Sequence, residues 1–147
     1  MKHRRFDRRW AIPMATAVPV LACVYAFLLG PAPSKRIATF EASTASGDAL
    51  LEPLAAGGSE LIPHLLVALQ RPAMPHRLEA IDFLARVDAP GVVPALEGWV
   101  AAEAEDAAVR ERALKTLATL DPARARLVAA GLARRGDALG EAARRLL

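Results

Sequence analysis

Ile62-Pro63-His64-Leu65-Leu66-Val67-Ala68-Leu69 returns as Val93-Pro94-Ala95-Leu96-Glu97-Gly98-Trp99-Val100, displaced by 31 positions. Farther along, Arg77-Leu78-Glu79-Ala80-Ile81-Asp82-Phe83-Leu84 returns as Arg110-Glu111-Arg112-Ala113-Leu114-Lys115-Thr116-Leu117, displaced by 33. Both segments carry apolar residues at helical spacing. Two helical patterns recurring in one order at a period just above thirty residues mark a stack of helix pairs, each burying its apolar stripe against the next. The expected fold is all-α, a short α-solenoid.

Composition agrees with helices. Hydrophobic residues make up 54% of the 147 positions, but Ala supplies much of that and aromatics only 5%, which suits closely packed helices better than β-branched strands. The single cysteine, Cys23, excludes an internal disulfide and a cysteine-based zinc site. The net charge of +3 is unevenly spread: Lys2, Arg4, Arg5, Arg8 and Arg9 outweigh Asp7 before Trp10, leaving the remainder at −1. A nucleic-acid interface is therefore not implied.

The same asymmetry shapes the reading of the N-terminus. Trp10 to Gly30 is a stretch of 21 residues without a charge. As a helix it would span about 31 Å, close to the ~30 Å hydrocarbon core of a bilayer, and the basic residues before it would stay cytoplasmic. Residues 1–9 read as a basic cytoplasmic tail and 10–30 as a transmembrane signal-anchor, kinked at Pro19. Val20-Leu21-Ala22-Cys23 also resembles a lipoprotein box, and a cleaved signal peptide is a third reading. All three place the remainder outside the cytoplasm. The expected location is a bacterial inner membrane, single-pass, with the C-terminal domain periplasmic.

Residues 31–58 form a linker and N-terminal helical cap, with short helices over Lys35–Ala42 and Asp48–Ala56. Residues 59–147 form the repeat domain. Ser59 opens a helix to Gln70, His76 one to Val87, Val92 one to Ala102 and Ala107 one to Leu120. Asp121-Pro122 starts another to Arg135, and Asp137 the last. Phe83 aligns with Thr116, an outward position in a mid-row repeat. An aromatic there predicts a cover from Ile37, Phe40, Leu50, Leu51 and Leu54.

Asp106-Ala107-Ala108-Val109-Arg110-Glu111-Arg112-Ala113-Leu114 places an acidic loop before Val-Arg, Ala and Leu. In this the chain resembles HEAT and phycobilisome-lyase-type HEAT-like repeats over residues 59–147. The resemblance implies that Asp106 and Arg110 knit adjacent repeats together. It carries over no activity, because no chromophore-handling residue matches.

Glu60, His64, His76 and Glu79 alone have metal-ligand character, but each pair sits at the start of its own helix, ~15 Å apart in antiparallel neighbours, so no metal or cofactor is expected. No catalytic motif is present, and the chain reads as a non-enzyme. With Ile62, Leu65, Leu66 and Leu69 as the buried stripe, Trp99 falls beside it. There it either packs between repeats or anchors a partner on the inner surface. The opposite face of that row reads Ala95, Gly98 and Ala102, followed by Arg126, Ala129 and Ala133 in the next pair, and the small residues among them permit close approach by another backbone. The arginines of the last two helices read as a solvated face, or one that meets acidic groups. The expected function is a membrane-anchored scaffold binding another protein on the periplasmic side, an accessory or assembly subunit of a membrane complex. The alternative is a secreted or lipidated lyase or chaperone acting on a cofactor-bearing protein.

Overall fold

The structure is a computed structural model that describes residues 32–87 and 89–147. Eight α-helices occupy the described residues: α1 (Pro33–Glu41), α2 (Asp48–Ala55), α3 (Gly58–Ala68), α4 (Arg77–Leu84), α5 (Val92–Ala101), α6 (Ala107–Leu120), α7 (Pro122–Leu132) and α8 (Ala138–Arg144). The last three start on aspartate caps. Asp106 accepts from the Ala108 N–H at 2.8 Å, Asp121 from the Arg124 N–H at 3.0 Å and Asp137 from the Gly140 N–H at 2.9 Å. Each bond satisfies one of the donors that a helix start leaves open. Pro122 fills the first position of α7, where its missing N–H costs nothing. Helix α3 departs from expectation: it begins at Gly58, so Ser59 lies inside its first turn, and the capping Gly57 makes no side-chain bond.

Helices pack in pairs. Helix α6 lies against α4, α5, α7 and α8, while α2 contacts α4, so the even-numbered helices form a continuous row. The buried stripe of α3 is Leu61, Ile62, Leu65 and Ala68, continued by Leu69, and that of α5 is Val92, Leu96, Trp99 and Val100. At the N-terminal end Ile37, Phe40, Leu50, Leu54 and Phe83 are all buried, and Leu51 packs against them. Thr116 is buried as well, its hydroxyl donating to the Ile81 carbonyl at 3.4 Å, so this position of the repeat is not outward-facing. The reason is that α6 is sandwiched between α4 and α8.

Two expectations are corrected here. The proposed anchor at 10–30 and the tail at 1–9 lie outside the described residues, and among those that are described no helix is long and apolar enough to cross a membrane. The longest, α6, has 14 residues. At ~1.5 Å per residue such a helix spans about 21 Å, short of the ~30 Å core, and Arg110, Glu111, Arg112 and Lys115 interrupt it. Over the described residues the fold class is therefore an all-α bundle of eight helices with paired-helix packing, which corrects the expected solenoid behind a transmembrane helix. The single-pass inner-membrane topology, the membrane as partner and the periplasmic location go with it, because nothing in these helices sets an orientation to a bilayer.

One glycine is required by close approach. A Cβ on Gly140 would lie 2.2 Å from the Arg135 carbonyl oxygen, which belongs to the backbone and cannot swing away. Gly98, in the interior of α5, has nothing within 4 Å. We expect Gly140→Ala to cost about 2 kcal/mol in urea unfolding through overpacking, and Gly98→Ala to add about 0.5–1 kcal/mol by stiffening the unfolded chain.

Candidate functional site

A helix end leaves its last carbonyls without intrahelical donors, and two of these ends finish inside the protein. The buried Arg77, at the start of α4, donates from Nε to the Leu69 carbonyl at 3.0 Å, just past α3. The buried Arg110, in α6, donates from Nε to the Val100 carbonyl in the last turn of α5, also at 3.0 Å. Donors and acceptors are the aligned residues of the two sequence repeats. A cation at a helix C-terminus is also favoured by the helix dipole. Arg144 of α8 makes a looser, exposed version with the carbonyls of Ala133 at 2.8 Å and Arg135 at 3.1 Å.

Arg77 does more than cap. Its Nη1 and Nη2 donate to Glu105 Oε1 at 2.8 Å and Oε2 at 2.7 Å, a two-pronged pair across the α4–α6 boundary. Only 7% of the Arg77 side chain and 15% of the Glu105 side chain is exposed. The Arg77 hydrogen bonds hold the Glu105 carboxyl below the usual carboxylate range; burial opposes this and the Asp106 N–H, which donates to Oε1 at 3.0 Å, assists it.

The pair sits in a cleft of about 660 Å³ between the connections that lead into α4 and α6. Pro72, Leu78, Ala102, Ala104, Ala108 and Val109 form its apolar walls, and Arg77, Glu105 and Asp106 are its polar members. The Pro72 wall is braced from the N-terminal helices. His76 Nε2 donates to the Ser43 carbonyl at 2.9 Å, its ring meets Phe40 edge-on at 5.7 Å, and Arg71 pairs with Glu41. His76 takes a left-handed backbone (φ 55) to do so, a conformation histidine tolerates better than most residues.

The residues singled out from sequence are dispersed. Trp99 is 5% exposed and belongs to the core, so it presents no indole to a partner. Leu61 and Ala68, rather than Leu66, complete the stripe of α3, which brings the aligned position of Trp99 inside it. Gly98, Ala102 and Arg126 are exposed and Ala95 is half-buried, and of these only Ala102 reaches the cleft. Ala129 is fully buried, so α7 follows α5 at 33 positions and not 31. Asp106 is a helix cap and Arg110 bonds within its own pair; ties between pairs are made by Glu105 with Arg77, by Arg112 with Asp82 and by Thr116 with the Ile81 carbonyl. Glu60, His64 and Glu79 are exposed, and no group of three or more His, Cys, Asp and Glu among the described residues could hold a metal ion. Glu105 was missed, though its place in the loop five residues before Arg110, the residue aligned with Arg77, was the available signal.

No family model, no curated protein and no solved structure matches the chain. The resemblance to HEAT and phycobilisome-lyase-type repeats is corrected accordingly. The residues that carried it satisfy helix ends, which any buried helix pair must do, and so do not mark a lineage.

Two measurements follow from this geometry. Trp99→Ala should lower unfolding stability by about 3–5 kcal/mol, the cost of deleting a buried indole, where an exposed indole would lose far less. Arg77→Met should cost about 3 kcal/mol at neutral pH, because it strands the Glu105 carboxylate. Since the folded-state pKa of Glu105 is depressed, its contribution is present above the unfolded value of about 4.3 and is lost as pH falls through the folded one. Glu105→Gln should therefore flatten the loss of stability below about pH 4.3.

Proposed function

We propose that this domain is a chaperone-type binding module that holds an extended apolar segment of another protein in the cleft around Arg77. The carrying observation is that a recess of about 660 Å³ is walled by six apolar residues around one guanidinium fixed in place. That volume falls in the range of ligand clefts, and such clefts are mostly apolar with a few fixed polar groups. Arg77 has five N–H groups and spends three on Leu69 and Glu105, which leaves two for the carbonyls of a bound backbone. The cleft carboxylates are already engaged, Glu105 by Arg77 and Asp106 by the start of α6, which favours holding a segment over transforming it. Binding without catalysis is the reading we adopt.

Fluorescent peptides alternating leucine or valine with serine test this by anisotropy. Ala108→Asp charges the wall while adding a carboxylate to the first turn of α6, where it suits the helix. It should leave the melting temperature unchanged and weaken peptide binding by at least about tenfold, since a charge would be stranded against apolar side chains. Equal binding by this variant, or none by the wild type, would remove the cleft from consideration.

A further inference from the structure

Most charged side chains of the domain are paired or capping. Among the described residues Lys35, Glu52, Glu60, Glu79, Arg126 and Arg134 have no partner. Large exposed apolar residues are equally few: Val67 at 72%, Leu127 at 77% and Leu147. The two sets coincide on two helices. On α3, Glu60 and Val67 are seven positions apart, which puts them on one face two turns from each other. On α7 and the turn after it, Leu127 and Arg134 are also seven apart, with Arg126 beside them.

The spacings match in a definite sense. With the two helices antiparallel, Val67 lies over Leu127 while Glu60 lies over Arg134, and His64 falls opposite Ala130, which leaves room for the ring. Charge asymmetry runs the same way. Residues 33–120 contain 12 acidic and 8 basic side chains, whereas residues 121–147 contain 6 basic and 3 acidic. Helices α3 and α7 belong to different pairs of one chain, so this pairing joins one copy to another.

We propose that the protein self-associates head to tail, the Glu60–Val67 face of α3 in one copy docking antiparallel on the Leu127–Arg134 face of α7 in the next. The contact is heterologous, so it extends beyond two copies unless the rotation closes a ring. All four side chains are exposed, and Glu60 and Arg134 are bonded to nothing in their own chain, so reversing these two charges leaves the fold in place, as circular dichroism melts would verify.

Sedimentation velocity on the full chain over a concentration series is the test. The wild type should show a weight-average mass that rises with concentration and falls with added salt. Glu60→Arg and Arg134→Glu should each weaken association by at least about tenfold, because like charges then face each other. Mixing the two variants should restore it, since the arginine at 60 in one meets the glutamate at 134 in the other. The proposal is overturned if the wild type stays monomeric at its highest soluble concentration. It is equally overturned if single reversals change nothing, or if the mixture associates no better than its components.

Discussion

The carbonyls of Leu69, just past α3, and of Val100, in the last turn of α5, belong to fully buried residues, and the fold depends on two arginines that answer them. An unpaired buried carbonyl costs about 1–3 kcal/mol, and a buried guanidinium without acceptors costs more, so neither group could be there without the other. Because Arg77 and Arg110 sit near the starts of α4 and α6, each bond fixes how far a second helix slides along the first. Helix packing alone sets this poorly, because small residues such as Ala80 and Ala113 at the contacts offer little to interlock.

The two arginines then differ in one respect, and the cleft follows from it. Glu105 claims the fork of Arg77 from the connection ahead of α6, which draws that connection over α4. On the other side the connection from α3 is anchored by Met74, whose side chain is buried, and by His76 at Ser43. The two connections are pinned to different parts of the core and leave a gap with the ion pair inside it. A bidentate arginine is planar and directional, so the pair orients the loop as well as holding it.

Much of this was written in the repeat. The displacement of 33 between Arg77 and Arg110 matches their shared role, and the displacement of 31 between Leu69 and Val100 matches the carbonyls they cap. Periodicity was less able to centre the stripe. In α3 alanine occupies position 68, so leucine at 66 drew the apparent face around and left Trp99 looking peripheral. In α7 the buried residues are Ala125 and Ala129, too small to announce a register. The acidic residue before α6 looked like a repeat signature because a cap and an ion pair both require a carboxylate there, and residue type does not tell Asp106 from Glu105. The uncharged stretch at 10–30 was legible as composition only, and composition fixes neither a bilayer nor a side of one.

The division of labour between helices explains why the outward faces differ so much. Buried ties between pairs run through the even-numbered helices: Thr116 of α6 to Ile81 of α4, and Arg77 of α4 to the approach of α6. The odd-numbered helices are secured chiefly at their ends, by arginines from the helix that follows, and the Arg124–Glu97 pair that links α7 to α5 is exposed at 3.2 Å and contributes little. A helix held at its end and along one stripe places no demand on its opposite face. Val67 and Leu127 therefore stay exposed on such faces, and Gly98 stands in the interior of α5 with nothing within 4 Å of its missing side chain.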